Sequence, residues 1–527
     1  MDNASANNHW YNEINHDQWK SFFAAVVGYF LDGFDFNMVN LLLVPISKSF
    51  GIPLILASTL ISAAYLSRWF GGMFFGAIGD RFGRKASMVT SILFYAGGTF
   101  VCAFAPAFWV LFAARLFIGL GMAGEYSSST TYVMETWPKN MRNKAVGFVV
   151  AGFSLGGAVT AQVYKLISYL VRDTSWASND WRIFFFIGLI PVIFALWMRH
   201  SISESSDYVE MKKAQEKVAK EDPNYQPPRD MFSVLYRTNA TRTIINFICT
   251  VLTIALLVGV FLMSSKLSVW QSVIAWILIF ATIMSFVYQF MGKRWPIGLG
   301  ILIIIVGANL VNGPMQSLMP TYYANSLHFS TGMVANLTSV FWIGQVIGCI
   351  VVGFVGDRFG TRRAYWVGDL CSLIVVAPIF MITRQMMDAN KMWLVVFIIF
   401  LMLYEMFIAF CALIPKFIGA YFTTANRNAG VGFLVNAGGL GQALAPVLTL
   451  TLAGKVFQPM GLGLGWTLFW ILVIMTAFVI ICLWINLPAR LQKLVHPELL
   501  RKQDWSDKDI SNVEDEVKMQ AQNQDQK

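Results

Sequence analysis

Five ionisable side chains sit where the surrounding sequence is almost wholly apolar, and they set the chemistry open to this chain: Asp32, Asp35, Arg68, Arg115 and Glu125. Charged groups inside a membrane-spanning helix are expensive, and they usually face a cavity or a partner. Asp32 and Asp35, within Leu31-Asp-Gly-Phe-Asp-Phe36, are three residues apart, which places both carboxyls on one side of a helix. Two such carboxylates repel when both are ionised in low dielectric, so at least one is expected to take up and release a proton. The plainer alternative is that Asp32 bonds to a neighbouring helix and only one carboxylate matters. Arg68, in Tyr65-Leu-Ser-Arg-Trp-Phe-Gly71, offers a planar guanidinium to an anionic ligand, or a structural ion pair to Asp32 or Glu125. Arg115 and Glu125 bracket Gly119, Gly121 and Gly124, glycines placed near one face where a neighbouring helix can pack closely. Asp369, Glu405 and Lys416 are weaker candidates, read as residues near helix ends or satisfied by a neighbour.

The elements that must hold these groups are membrane helices. The chain has 527 residues, 56% hydrophobic and 13% charged, against a charged fraction of about a quarter in soluble proteins, and a mean hydropathy of +0.58. The net charge of +10 does not point to nucleic acid, because the basic residues fall in short loops at alternate ends of apolar runs. Apolar runs of bilayer length are read near 22–43, 56–78, 87–105, 108–134, 145–170, 182–199, 244–263, 269–291, 295–318, 333–356, 364–383, 392–414, 430–453 and 464–487, fourteen in all. The segment 201–243 is charged and carries Pro223, Pro227 and Pro228, so it reads as a central loop with no continuous helix. Loops at 80–86, 139–144, 199–243, 292–295, 357–363 and the tail from Arg490 are rich in Lys and Arg, whereas the loops at 44–55, 106, 264–268 and 319–332 carry only Lys48 and Lys266 between them. Both termini are therefore expected in the cytoplasm. The polar first 21 residues and the long run after them lack a signal-peptide pattern. The six cysteines lie in apolar runs without paired spacing, and no metal-ligand cluster, nucleophile motif or phosphate loop is present, so neither a cofactor, a metal nor an enzyme activity is expected.

The chain is internally duplicated. Gly76-Ala-Ile-Gly-Asp-Arg-Phe-Gly-Arg-Lys85 recurs as Gly353-Phe-Val-Gly-Asp-Arg-Phe-Gly-Thr-Arg-Arg363, each a short polar hairpin between two apolar runs. Asp80 is placed to accept from free backbone donors at the start of the next helix, and Arg81, Arg84 and Lys85 to hold the loop on the cytoplasmic side. A second element repeats too: Arg142 with Gly147 matches Arg427 with Gly432. The 277-residue offset from Asp80 to Asp357 exceeds the 179 residues of a first six-helix unit by 98, and the central segment with one additional helix pair, 201–294, accounts for 94 of them.

These hairpins resemble the signature loop of the major facilitator superfamily, and the Arg115–glycine segment resembles a second signature of its proton-coupled members. In sugar porters of that superfamily a helix-1 aspartate pairs with this arginine, and the matching positions are Asp35 and Arg115. Leu31–Phe36, Ser67–Gly72, Gly121–Tyr126, Glu135-Thr-Trp-Pro-Lys139, Gly292–Pro296 and Pro320–Tyr322 together resemble the family of bacterial sialic acid permeases, sialate:proton symporters that also have fourteen helices. The resemblance implies an all-α integral membrane fold: two pseudo-symmetric six-helix bundles (22–200 and 295–487), a central loop (201–243), an inserted transmembrane hairpin (244–294), and cytoplasmic tails (1–21 and 488–527). It implies uptake of an anionic sugar acid with protons by alternating access across a bacterial inner membrane, by a monomer. It places Asp35, Asp32 and Glu125 as proton-coupling groups, Arg68, Arg115 and Tyr126 at the substrate, and Gly76, Asp80, Arg81, Gly83, Arg84, Gly353, Asp357 and Arg358 in gating loops. The rival readings are a symporter of another organic anion, such as an aromatic acid or a dicarboxylate, and a non-transporting membrane sensor of the same fold.

Overall fold

The computed structural model describes residues 10–52, 54–171, 174, 180–221, 226–227, 229–262 and 268–496, and among these the regular structure is entirely helical. Five long helices open the chain: α1 (His16–Phe50), α2 (Leu54–Phe82), α3 (Arg84–Phe104), α4 (Phe108–Thr136) and α5 (Arg142–Val171). A sixth span is broken into α6 (Asp180–Ile187) and α7 (Ile190–Ser201). The central segment holds α8 (Ser206–Glu221) and α9 (Met231–Tyr236), followed by the extra pair α10 (Ala240–Leu262) and α11 (Val269–Met291). The second half comprises α12 (Trp295–Thr321), α13 (Thr331–Phe359), α14 (Thr361–Met381), the short α15 (Arg384–Ala389), α16 (Met392–Ile408), α17 (Ile414–Gly419), α18 (Arg427–Gly438), α19 (Leu440–Leu452) and α20 (Leu464–Trp484), with α21 (Leu487–Val495) beyond the last span.

Ten stretches of the described residues are long and apolar enough to cross a membrane, and one of them, Trp270–Pro320, takes in most of α11 and of α12. Adding α2, α6–α7 and α18–α19 gives fourteen spans among the described residues, in the expected order. Three expected spans are divided, each for a local reason. The run 182–199 breaks at Gly188–Leu189 because Pro191 occupies the first turn of α7 and cannot continue the hydrogen-bond ladder. The run 392–414 tightens into a 3-10 turn, Ala409–Leu413, ahead of Pro415. The run 430–453 starts earlier, at Arg427, and breaks at Gly439. The expected loop 201–243 is also corrected: its prolines lie beyond residue 221, which leaves α8 free to form and to bury Tyr208, Met211 and Gln215 along one face. The tail expected from Arg490 lies outside the described residues past His496, as does Lys266.

Within the first half α1 packs on α5, and α2 and α3 on α4; in the second, α13 and α14 pack on α16, and α12 on α19 and α20. The halves meet through α2 against α18 and α5 against α13. Contact there is backbone to backbone, since a Cβ added at Gly72 would collide with the Gly432 carbonyl oxygen. The extra pair lies on the outside, where Phe286 of α11 stacks on Trp69 of α2 at 6.0 Å between ring centroids. Its remaining faces are apolar and exposed, as at Ile245, Phe247, Trp270 and Ile277, the pattern of a surface turned to lipid.

Candidate functional site: a cavity between the halves and its clamp

A cavity of about 910 Å³, counting its open mouth, lies between the two halves. Tyr29, Tyr65, Arg68 and Tyr126 line it from the first half. Asn309, Asn312, Gln316, Asn436 and Gln442 line it from the second, and Ser154 of α5 donates to Gln345 of α13 across it at 2.8 Å. Among the described lining residues Arg68 carries the only formal charge; the rest of the polar lining is phenols, carboxamides, one hydroxyl and two thiols. Such a lining attracts one carboxylate through a guanidinium fork and hydrogen-bonds neutral hydroxyl and amide groups around it. Arg68 does not pair with Asp32 or Glu125: its Nε donates to Asn436 Oδ1 at 3.2 Å, so it already bridges the halves.

Arg115 is placed differently. It is 1% exposed and does not line the cavity, and its Nη1 lies 3.9 Å from Asp35 Oδ2. Asp35 also accepts from Thr99 Oγ1 at 2.8 Å. Asp32, one turn earlier, is fully buried and accepts no hydrogen bond at either oxygen, so the reading in which it bonds to a neighbouring helix fails in this structure. Glu125 accepts from Ser129 at 2.5 Å and Ser91 at 3.3 Å. Between the two arginines stands Phe36, whose ring centroid is 5.7 Å from the Arg68 guanidinium carbon and 6.0 Å from that of Arg115. Phe36 therefore touches both the charge that faces the cavity and the charge that faces the buried carboxyl.

At the basic end of the molecule the duplicated loops form a clamp. Asp80 accepts from the Asn428 and Ala429 N–H groups at 3.2 and 2.9 Å, at the start of α18. Asp357 accepts from the Asn143 and Lys144 N–H groups at 3.1 and 3.3 Å, at the start of α5. Each signature aspartate thus caps a helix of the opposite half, at the repeated Arg142 and Arg427 elements. This corrects the expectation that Asp80 caps the next helix: the N–H groups of Arg84 and Lys85 at the start of α3 bond instead to the Glu204 carboxylate. Gly83 and Gly360, with φ of 102° and 89°, turn the chain between the paired helices in a region closed to other residues.

Nor does Arg84 anchor the loop to an interface. It is fully buried, bonds Glu135 through Nε and Nη2 at 2.8 and 3.0 Å, and lies 3.1 Å from Asp80. Arg81 and Arg358 stay outside, each beside the phenylalanine that follows it. Gly76 and Gly353 let the clamped backbones approach. The second copy is weaker, because Thr361 replaces Arg84 and donates only to Asn143 Oδ1 at 3.0 Å, while Lys144 supplies the cation at 3.2 Å from Asp357.

Sequence reasoning assigned no role to Phe36, Thr99, Asn436, Glu135, Glu204 or Asp207. Glu135 ties Arg84 to Arg427 at 3.4 Å, and Asp207 ties Arg142 at 2.9 Å to Arg427 at 3.9 Å, so the central segment braces both halves. Burial holds the Glu204 and Asp207 carboxyls above the ordinary range, against the N–H groups of Ser205 and Lys85 for Glu204 and against Arg142 for Asp207. A match between Arg142 and Arg427 was the available signal that acidic partners belonged there.

The sequence profile of the Major Facilitator Superfamily matches residues 25–315 and 311–514. The chain belongs to that superfamily. It is 32% identical to the Sialic acid transporter NanX of Escherichia coli (strain K12) over 92% of this chain and 98% of that protein. It is 24% identical to the Proline/betaine transporter of the same strain over 81% of this chain and 76% of that one. The structure of the proton:xylose symporter XylE bound to 6-bromo-6-deoxy-D-glucose shares the fold with a TM-score of 0.64 at 15% identity, covering 91% of this chain and 99% of XylE. The E. coli fucose:proton symporter FucP gives 0.57 at 13%, covering 89% and 99%. The chain is a multi-span membrane transporter of a small molecule, not an enzyme.

Proposed function

We propose that this transporter imports sialic acid, N-acetylneuraminate, and related sugar acids together with protons across the bacterial cytoplasmic membrane. The observation that carries the reading is the cavity, where, among the described lining residues, the one charge is the Arg68 guanidinium and the other polar groups are neutral donors and acceptors. A nine-carbon sugar acid presents one carboxylate, an acetamide and several hydroxyls, which matches that set group for group. The similarity to a sialic acid transporter along nearly its whole length supports the same substrate class.

Arg68 receives the carboxylate, and Tyr126 with Tyr29 and Tyr65 lies against the ring. Asp35 is the proton-coupling group, held by Arg115, with Asp32 and Glu125 as buried carboxyls nearby. Substrate at Arg68 shifts Phe36, and through it the Arg115–Asp35 contact, so that ligand and proton bias one equilibrium. The basic end faces the cytoplasm, both termini lie there, and the clamp closes that side while the cavity loads from outside. The two halves, 22–200 and 295–487, rock about the cavity in one monomer, with the hairpin 244–294 packed outside it against α2 of the first half and α12 of the second.

A single guanidinium also suits other organic anions, so the test is a competition. Radiolabelled N-acetylneuraminate, an aromatic acid and a dicarboxylate are offered to cells lacking their own sialate permease. Uptake of the sugar acid alone is expected; uptake of either other acid in its place selects the rival substrate, and binding without uptake selects a sensor.

A further inference from the structure

Two carboxyl groups in the second half take no part in the machinery described so far. Asp369 is the ninth residue of α14, away from either end of it, whereas Glu405 lies in the last turn of α16. They are 3% and 1% exposed. Asp369 Oδ2 and both Glu405 oxygens accept no hydrogen bond, and no Lys, Arg or His nitrogen of the described residues forms an ion pair with either.

Asp369 lines a small pocket, with room for about one water molecule, together with Asn312 of α12, Tyr365, Cys411 of the 3-10 turn and Thr476 of α20. Asn312 and Cys411 also line the central cavity, and the Asn312 amide donates to the Cys411 sulfur at 3.5 Å, so the two cavities share a polar wall. Glu405 lines neither of these two cavities. The other titratable groups around them are Tyr404 of α16, Tyr323 in the turn that follows α12, and Cys349 of α13.

An ionised carboxylate buried without counterion or donor costs several kcal/mol, comparable to the whole stability of a domain. Each charge must be cancelled by a bound cation. A hard metal ion needs about six oxygen ligands, and no metal-holding group of three or more acidic, His or Cys residues occurs among the described residues. A proton needs none.

We propose that Asp369 is a second proton-exchange site, opening to the central cavity past Asn312 and Cys411, with Glu405 as a carboxyl that stays protonated behind it. The step is the loss of the Asp369 carboxylic proton to water in the cavity and its return, with no other bond made or broken. The proposal rests on the proton-coupled reading above and extends it to the half of the chain that reading leaves idle.

The test pairs transport with spectroscopy on the full-length protein and its Asp369→Asn and Glu405→Gln variants, each close in shape to the protonated acid. In proteoliposomes with imposed pH gradients, Asp369→Asn is expected to lower the accumulation ratio of labelled sialate about tenfold per pH unit, the loss of one coupled proton. Infrared spectra at neutral pH are expected to show protonated-carboxyl bands that each substitution removes. An unchanged slope in Asp369→Asn, parent spectra in which neither substitution removes such a band, or a sodium requirement abolished by Asp369→Asn overturns the proposal. Should the parent fail to accumulate sialate at all, the substrate reading falls, and the infrared bands still decide the state of Asp369 and Glu405.

Discussion

The Asp80 carboxylate and the Ala429 N–H group, 349 positions apart in the chain, form a hydrogen bond of 2.9 Å. With its counterpart from Asp357 to Asn143 it fastens the two halves at the ends where their basic loops lie. The start of α18 has no capping side chain of its own, since Asn426 ahead of it makes no such bond. Its free donors are satisfied only while the halves are closed, so separation of that end exposes them.

Neutralising a clamp aspartate is expected to slow transport without preventing insertion. Hydrogen bonds to a charged group are worth about 1.5–3 kcal/mol, so Asp80→Asn is expected to lower sialate uptake about tenfold at matched expression. Asp357→Asn is expected to cost less, because Thr361 stands where Arg84 reinforces the first copy. Thiol labelling of cavity Cys411 from the basic side is expected to rise in both; equal uptake and labelling in variant and parent would remove the gating role.

Arg68→Lys keeps the charge but loses the fork and the bridge to Asn436. Its KM for sialate is expected to rise about tenfold, whereas Arg115→Lys, buried behind Phe36, is expected to disturb coupling with KM nearly intact. A parental KM in Arg68→Lys would assign the carboxylate to another group.

Asp35→Asn fixes the side chain in a protonated-like form. Concentrative uptake on a pH gradient is expected to fall to what a proton at Asp369 alone can drive, while counterflow of labelled for unlabelled sialate, which needs no net proton movement, persists. Asp32→Asn is expected to be milder. Accumulation by Asp35→Asn at the parental level would move the coupling site to Glu125.

Buried carboxyls of the central segment give a pH dependence with a definite sign. Glu204 and Asp207 titrate above their ordinary values while the basic end is closed and return toward those values when it opens. The closed form therefore binds protons more tightly; its advantage is complete below the ordinary carboxylate range and is lost as pH rises through the raised values. Acidifying the basic side of oriented proteoliposomes is expected to slow turnover, and the slowing is expected to flatten in Glu204→Gln with Asp207→Asn. Turnover that rises on acidification contradicts this.

Much of the fold was legible because a bilayer imposes one length and one composition on every span, and because the two Gly–Asp loops mark the same turn in each half. What escaped were partners chosen across the duplication. Asp80 reads locally as a cap for α3, yet Glu204, 120 residues beyond Arg84, occupies that place and frees Asp80 for α18. The prolines at 223, 227 and 228 drew attention away from the apolar face of α8, whose Tyr208 donates to the Arg81 carbonyl at 2.8 Å. Around the cavity, Arg68 announced itself by being charged among apolar neighbours. Phe36 did not, since in a chain with 43 phenylalanines a ring touching two guanidiniums has no sequence signature.

The central claim, that a proton enters with the sugar acid, is met most directly by purified protein in sodium-free proteoliposomes, inside near neutral and outside acid. Labelled N-acetylneuraminate is expected to concentrate inside, with alkalinisation of the outer medium, and both are expected to collapse when a protonophore dissipates the gradient. Entry only to equilibrium, at the same rate with and without the gradient, would contradict the account.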